Sequence, residues 1–200
     1  MTNSLVSITV RTKDRPKLLR RALQSIASQT YRPIEVVLVN DGGCDLNNED
    51  LKSILGDVSL NYVRLEKNTG RAHAGNVGIE NAKGDYIGFL DDDDELYPEH
   101  VKELVSHILQ SGARIVYTEV EFVEQVMGEK GEVVGSRRTR VFGREFSYED
   151  LLIENYVPLI AVLFASEILK ELRFDESFEL FEDWDLLIRA GQIRSQAILF

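Results

Sequence analysis

Short apolar runs alternate with amphipathic stretches through the first half of the chain. Four short, mostly apolar runs of strand-forming residues predict strands at 6–10, 34–39, 60–65 and 86–90. Apolar residues at helical spacing predict helices at 16–28, 48–55, 70–82 and 98–110. This alternation with short links predicts an α/β fold, with a mostly parallel central sheet and helices on both of its faces.

The pattern changes after Arg114. Residues 115–126 alternate in strand fashion, and Gly128 to Gly131 form a turn into a further apolar stretch at 132–134. We therefore expect mixed or antiparallel strands in the second half. No internal repeat or Ser/Gly/Pro-rich linker divides the chain, which predicts a single domain over 1–200. The apolar run 197–200 leads us to expect a truncation at the C-terminus.

Composition narrows the classes of partner. The formal net charge of −11 argues against a protein that binds nucleic acid or an anionic membrane through bulk charge. The single cysteine, Cys44, excludes an internal disulfide. The N-terminus does not resemble a signal peptide, and no run has the length of a transmembrane segment. We expect a cytoplasmic protein, at most peripheral at the inner face of the membrane.

An acidic cluster directly follows the strand predicted at 86–90. It comprises the five residues Asp91 to Glu95. Like charges this close raise one another's pKa, and a cation among them relieves the repulsion. In open α/β sheets, ligands bind outside the carboxyl ends of the strands, which is where this cluster would lie. The pattern predicts a divalent-metal site, with a solvated acidic turn as the alternative.

Glycines and arginines mark other candidate positions. Gly42 and Gly43 follow a predicted strand, where they would let the backbone approach a ligand. Gly75 and Gly78 weaken the helix predicted at 70–82, so close packing or ligand approach must compensate. A basic cluster is either ordinary surface charge or a contact with an anionic substrate; it consists of Arg137, Arg138, Arg140 and Arg144.

Several motifs, in this order, resemble the family 2 glycosyltransferases, which are nucleotide-sugar enzymes with the A-type, Rossmann-like fold. They are Val6–Val10 with Thr12–Pro16, Glu35–Gly43, Asn68–Arg71 with Gly75–Gly78, Ala82–Tyr86, Phe89–Asp94 and Glu182–Leu186. Two positions depart from the family pattern. Gly75 stands where the family usually has Arg, and Arg71 or His73 would then take over the role of that Arg. Arg11 stands where the family often has Pro.

The resemblance implies an inverting, metal-dependent transfer of a sugar from a nucleoside-diphosphate sugar, with UDP favoured, to an acceptor hydroxyl. The cofactor would be Mn²⁺ or Mg²⁺, and the acceptor a saccharide or a lipid-linked saccharide in polysaccharide, cell-envelope or glycoconjugate synthesis. Residues 1–112 would form the nucleotide-binding half and residues 113–200 the acceptor-side half. The alternatives are a nucleotidyltransferase, although no glycine-rich loop follows the first strand, and a truncated, non-catalytic nucleotide-sugar-binding module.

By the resemblance, Asp93 is the direct metal ligand and Asp91 the second candidate. Asp91 and Asp92 would also meet the ribose hydroxyls or metal-bound waters. Asp41 would bind the nucleobase, or would simply form the turn. Further candidates for the donor-binding site are Thr12, Asp14, Asn68, Gly70, Arg71 and Asn76.

The resemblance also places the general base at Asp183. Glu182 and Asp185 remain alternatives for the functional acid, because acidic residues are favoured at any helix start. Glu182 and Trp184 are candidate substrate contacts, and Trp184 is either an acceptor platform or a packing residue.

Overall fold

The structure, a computed structural model, describes residues 4–128, 133–192 and 198–199. Its strands are β1 (Val6–Thr12), β2 (Ile34–Asn40), β3 (Ser59–Arg64), β4 (Tyr86–Asp91), β5 (Ile115–Tyr117), β6 (Val120–Met127), β7 (Val133–Phe142), β8 (Val162–Ala165) and β9 (Ile198–Leu199). Its helices are α1 (Pro16–Ala27), α2 (Asn48–Leu55), α3 (Arg71–Asn81), α4 (His100–Ser111), α5 (Tyr148–Leu151), α6 (Ser166–Glu171) and α7 (Glu182–Gln192), with a 3₁₀ turn at Leu159–Ala161.

A seven-stranded sheet forms the centre of the fold, in the order β3-β2-β1-β4-β8-β5-β9. Strands β3, β2, β1 and β4 are parallel, and β1 and β2 are buried along their whole length. Continuous apolar strands of this kind are typical of a sheet covered on both faces. The prediction of an α/β fold with a mostly parallel sheet is confirmed.

The second half adds antiparallel pairing, as expected. Strand β8 runs antiparallel to both β4 and β5, and β9 pairs with β5 in parallel. Strands β6 and β7 pair with each other in a separate two-stranded hairpin.

The prediction of a single strand over 115–126 is wrong, because Thr118 and Glu119 separate two strands, β5 and β6. Strand β5 before the break is buried in the central sheet, whereas β6 after it leaves the sheet for the hairpin. An alternating pattern does not reveal this change of partner, since both segments are extended.

Close packing explains the two glycines of α3. A Cβ on Gly78 would lie 2.0 Å from Cγ2 of Thr9 in β1, and a Cβ on Gly75 would lie 2.6 Å from the ring of Phe174. Helix α3 therefore lies directly against the sheet and against the segment before α7. Of the two explanations that the sequence allowed, this contact supports packing.

No helix among residues 4–128, 133–192 and 198–199 is long and apolar enough to cross a membrane.

The first testable prediction concerns His100, at the start of α4. Burial lowers the pKa of His100 from 6.5 to about 4. A hydrogen bond with the backbone of Ile160 raises this pKa, but its effect is smaller than that of burial. Between these values the unfolded chain binds a proton that the folded chain does not. The contribution of His100 to the free energy of unfolding should therefore fall by about 3 kcal/mol as the pH drops from 6.5 to 4.

Urea denaturation across this pH range measures the effect. His100→Gln should remove this contribution from the measured pH dependence, whereas His107→Gln, exposed on the same helix, should keep the wild-type slope. A wild-type slope in His100→Gln would contradict the assignment.

Candidate active site

The candidate residues lie where the parallel strands end. Strands β1, β2 and β4 are adjacent, and their carboxyl ends carry Thr12, Asp41 and Asp91. Beside them a cavity of about 290 Å³ is lined by Arg11, Arg71, Phe89, Leu90, Asp91, Asp94, Phe122, Asn155, Pro158, Leu159, Ile160, Glu182 and Asp183. The topology thus brings residues from the start, the middle and the end of the chain to one place.

Arg11 joins three of these segments through a buried guanidinium that is only 8% exposed. Arg11 lies directly opposite Asp91 in the β1–β4 register and donates two hydrogen bonds to it, from Nε at 2.8 Å and Nη2 at 3.0 Å. Its Nη1 lies 3.4 Å from Oε1 of Glu182, which is 2% exposed, and 3.2 Å from the carbonyl of Arg71. The position where the family often has Pro therefore carries the cation that connects β1, β4 and α7.

Asp92 and Asp93 share a second arginine. Asp92 is fully buried, accepts a 2.6 Å hydrogen bond from Oγ1 of Thr12 and forms an ion pair with Arg15. Arg15 also donates to Asp93 at 2.8 Å, where both side chains are about half exposed (47% and 48%). Burial raises the pKa of Asp92, and its contacts with Thr12 and Arg15 oppose that rise. Asp92 is therefore a structural anchor, while Asp93 faces solvent.

Asp94 is the aspartate of this cluster that makes no ion pair within the described part of the chain. Partial desolvation and the charges of Asp93, Asp91 and Asp92 raise its pKa to about 6. The edge therefore holds more negative charge than Arg11 and Arg15 neutralise.

A hard divalent ion fits this donor set. Mg²⁺ typically binds through one or two carboxylates together with substrate phosphates, and Asp93 offers an accessible carboxylate beside Asp94. Within the described residues no group of three or more His, Cys, Asp or Glu side chains is arranged to hold a metal by itself. The residues thus suit an ion that is completed by a phosphorylated ligand.

Asp41 organises the loop before α3. Its carboxylate is buried and accepts hydrogen bonds from the amide of Thr69 at 2.7 Å, the hydroxyl of Thr69 at 2.8 Å and the amide of Gly70 at 3.0 Å. The carboxamide oxygen of Asn68 also accepts from the Gly70 amide, at 3.2 Å. These contacts show the turn-forming function of Asp41, while its contact with a nucleobase stays a prediction.

Asp14 and Asn76 also bridge segments. Asp14 accepts a 2.8 Å hydrogen bond from the amide of Cys44, and this bond lowers the pKa of Asp14. Asn76 is buried and uses both of its amide hydrogens, donating to the carbonyl of Phe174 and to Glu176, while its oxygen accepts from the Phe174 amide. The observed contacts of Asn76 are structural, and it is not among the residues that line the 290 Å³ cavity.

The three acids at the start of α7 have different environments. Glu182 is buried and bound by Arg11 and Arg71. Asp185 is paired with Arg189, one turn further along. Asp183 lines the cavity, has no ion pair among the described residues, and accepts from the Asn155 amide at 3.4 Å and from the Trp184 backbone at 2.8 Å. It is therefore the carboxylate of the three that remains available to a ligand.

Trp184 packs against the core. Its indole nitrogen donates a 2.6 Å hydrogen bond to the carbonyl of Leu151, and its ring contacts Phe181 edge to face at 6.0 Å. Trp184 is not among the residues that line the cavity. Its arrangement supports the packing interpretation.

Comparison with known proteins decides the family. The family model described as "Glycosyl transferase family 2" matches residues 7–172. The chain belongs to this family. It is 30% identical over 189 residues to an uncharacterized glycosyltransferase, YwdF, of Bacillus subtilis, covering 94% of the chain and 68% of YwdF. The chain is a glycosyltransferase.

Solved structures support the fold at lower identity. S. aureus TarS 1–349 in complex with UDP has a TM-score of 0.74 at 22% identity, covering 97% of this chain and 57% of TarS 1–349. The mannosyltransferase PcManGT from Pyrobaculum calidifontis, in complex with GDP-Man and Mn²⁺, has a TM-score of 0.72 at 18% identity, covering 100% of this chain and 55% of its own. The chain therefore has the A-type glycosyltransferase fold. It spans a little over half the length of these two structures.

The structure adds site residues that the sequence did not single out. Asn155 and Phe122 line the cavity, Arg15 pairs with Asp92 and Asp93, and Arg11 entered only as a departure from the family pattern. Arg71 pairs with Glu182 near Arg11, whereas His73 is occupied by Glu176 at 3.0 Å. The ring of Phe174 occupies the space beside Gly75, with the guanidinium carbon of Arg11 5.8 Å from its centroid, and the replacement of the family's Arg by Arg71 or His73 stays a prediction.

The second prediction tests the buried ion pairs of Arg11. Arg11→Met leaves Glu182 and Asp91 without this partner, and removal of one partner from a buried pair should lower the free energy of unfolding by about 3 kcal/mol. The double variant Arg11→Met with Glu182→Gln should regain about 1 kcal/mol, because one of the stranded charges is gone.

Chemical denaturation of both proteins gives these values. The matched control is Arg114→Met, which removes an exposed pair with Glu167 and should cost at most about 1 kcal/mol. Equal losses in Arg11→Met and Arg114→Met would show that the buried network does not stabilise the fold.

Proposed function

We propose that this glycosyltransferase moves a sugar from a nucleotide-sugar, with UDP favoured, to an acceptor hydroxyl by a single inverting displacement. The observation that carries the proposal is the availability of Asp183. It lines the cavity beside the end of β4, while the acids on either side, Glu182 and Asp185, are held by arginines. The family assignment favours this reading over nucleotidyl transfer and over a non-catalytic binding module.

The proposal assigns the donor to the carboxyl edge of the sheet. We assign Thr12, Asp14 and Asp41 to the nucleobase, and Asn68, Gly70 and Arg71, at the approach to α3, to the rest of the donor. Asp91 and Asp92 are assigned to the ribose and its waters. Because Asp91 is held by two hydrogen bonds from Arg11, Asp93 is the stronger candidate for direct contact with Mn²⁺ or Mg²⁺, and Asp91 the weaker one.

A bound divalent ion would neutralise charge on the departing diphosphate. Arg15 lies beside Asp93 and can turn towards a phosphate, because its side chain is half exposed. Glu182 keeps Arg11 and Arg71 fixed at the inner wall of the cavity. Asn76 supports this wall indirectly by holding the segment that contains Phe174.

Asp183 carries the acceptor half of the reaction. As the acceptor oxygen bonds to the anomeric carbon and the bond from that carbon to the diphosphate breaks, the hydroxyl proton passes to the Asp183 carboxylate. Asn155 orients this carboxylate through its amide. Trp184 fixes the start of α7 through its bond to Leu151, so its contribution to acceptor binding would be indirect.

The third prediction separates binding from transfer. Asp183→Asn should retain affinity for UDP with Mn²⁺ while lowering the rate of transfer, or of donor hydrolysis, by about 10² or more, since a general base contributes that much. Calorimetry with UDP and an assay of released UDP give the two values.

Asp185→Asn is the matched control. It removes the same charge two residues further along α7, from a carboxylate that is already paired with Arg189. It should keep rates within a few-fold of wild type. Rates in Asp183→Asn within a few-fold of wild type would remove Asp183 from the chemistry, and an equal loss of UDP affinity would move it to the donor site.

The fourth prediction concerns the metal. UDP should bind more weakly after chelation with EDTA, and Asp93→Asn should lose most of this metal-dependent gain. Glu95→Gln is the control, because it removes the same charge from the same cluster at a carboxylate that is paired with Arg21. Electron paramagnetic resonance of Mn²⁺ reports the bound ion independently of activity. Identical Mn²⁺ affinity in Asp93→Asn and wild type would exclude Asp93 as a ligand.

A further inference from the structure

The hairpin of β6 and β7 presents its two faces to different surroundings. Neighbouring residues of a strand point to opposite faces. Glu121, Val123 and Gln125 line a second cavity of about 410 Å³ next to the loop 93–97. Phe122, on the opposite face, is 49% exposed and lines the cavity that contains Asp183.

Two contacts fix the hairpin in this place. The hydroxyl of Tyr97 donates to Glu121, and Arg21 donates to the carboxamide oxygen of Gln125 at 2.8 Å. Tyr97 follows the acidic cluster in the sequence, and Arg21 also pairs with Glu95 of that cluster. The position of Phe122 at the cavity is therefore supported by polar contacts on the other face of the same strand.

An aromatic and cationic surface surrounds Phe122. Its ring centroid lies 5.3 Å from that of Phe142, and the guanidinium carbon of Arg140 lies 3.7 Å from the centroid of Phe142. Arg140 is directly opposite Phe122 in the register, so all three side chains share one face. Contact with an aromatic ring holds the guanidinium in place and leaves its N–H groups free for an anion.

Arg140 differs from the other arginines of the basic cluster. Arg138 pairs with Glu121 at 3.2 Å, Arg144 lies 3.5 Å from Glu154, and Arg137 is opposite Glu124 in the register. Arg140 faces Phe122 instead and has no acidic partner in the described part of the chain. In a protein of net charge −11, this uncompensated cation lies opposite Phe122, which is the residue of this face that lines the cavity where the acceptor would be activated.

We propose that Phe122, Phe142 and Arg140 form an acceptor subsite for a saccharide that carries an anionic group, either a phosphate or a uronate. The rings would contact the apolar face of a sugar, and the guanidinium would bind the anion through paired hydrogen bonds. The inference rests on the proposed function, because it places the acceptor beside Asp183.

Three soluble probes test the subsite by calorimetry: trigalacturonate, maltotriose phosphate and neutral maltotriose. At least one anionic probe should bind at least about tenfold more tightly than maltotriose, since a hydrogen bond to a charged group contributes roughly 1.5–3 kcal/mol. The preferred anionic probe distinguishes a uronate from a phosphate.

Variants of the hairpin assign the binding to one face. Arg140→Gln should abolish the preference for the anionic probe, Arg140→Lys should restore part of it, and Phe122→Ala should weaken all three probes. Arg138→Gln is the matched control for the charge change, and it should bind as wild type does. A register shift in the hairpin places Arg138 opposite Val123 and in contact with Glu121, on the other face from Arg140.

Equal losses in Arg140→Gln and Arg138→Gln, or no binding of either anionic probe, would overturn the proposal. So would Arg140-dependent binding to phosphatidylglycerol vesicles with no binding of the soluble probes, which would assign the surface to a membrane. UDP binding by the wild type is measured separately. Its absence, together with Arg140-dependent probe binding, would reject the proposed donor chemistry and retain the anion subsite.

Discussion

The organisation of the site depends on the repulsion between carboxylates gathered at one edge of the sheet. Asp91 to Asp94 close β4, and Glu182 approaches them from α7. Arg11 lies between the two groups, buried, with two hydrogen bonds to Asp91 and an ion pair to Glu182. Without a cation in this place, the end of β4 and the start of α7 would repel each other in a medium that screens charge poorly.

This arrangement divides the acidic residues by availability. Arg11, Arg71 and Arg189 engage Asp91, Glu182 and Asp185. Asp93 is left at the 410 Å³ cavity and Asp183 at the 290 Å³ cavity, and Asp94 lines both. Under the proposed function the first holds the leaving group and the second activates the acceptor. The buried pairs thus supply rigidity, and the less constrained carboxylates are left for chemistry.

The parallel half of the fold follows closely from local sequence pattern. Strands β1 to β4 and helices α1 to α4 lie within about two residues of their predicted bounds, because short apolar runs mark the strands and glycine, proline and polar residues mark the links. The second half was less predictable. Strand β5 enters the sheet and β6 leaves it, and β7 extends far beyond the predicted 132–134 with arginines on exposed positions. Pairing partners, which local pattern does not encode, decide all three.

The site divides in the same way. The acidic cluster and Asp183 were recognisable as motifs in the sequence. The position of the acidic cluster at the carboxyl edge of the sheet followed from the fold class. The contact between Arg11 and Asp91 was not visible, since it depends on the register of two strands 80 positions apart. Asn155 and Phe122 likewise reach the cavity from segments without a distinctive sequence. The residues that hold the reactive groups in place were therefore the part that required a structure.

A crystal structure with UDP and Mn²⁺ tests the central claim most directly. The account predicts the ion at Asp93 between the protein and the diphosphate, with Arg11 still hydrogen-bonded to Asp91 and with Asp183 facing the open side of the cavity. An ion that displaces Arg11 from Asp91, or that is bound by Asp183, would contradict the division between leaving-group and acceptor residues.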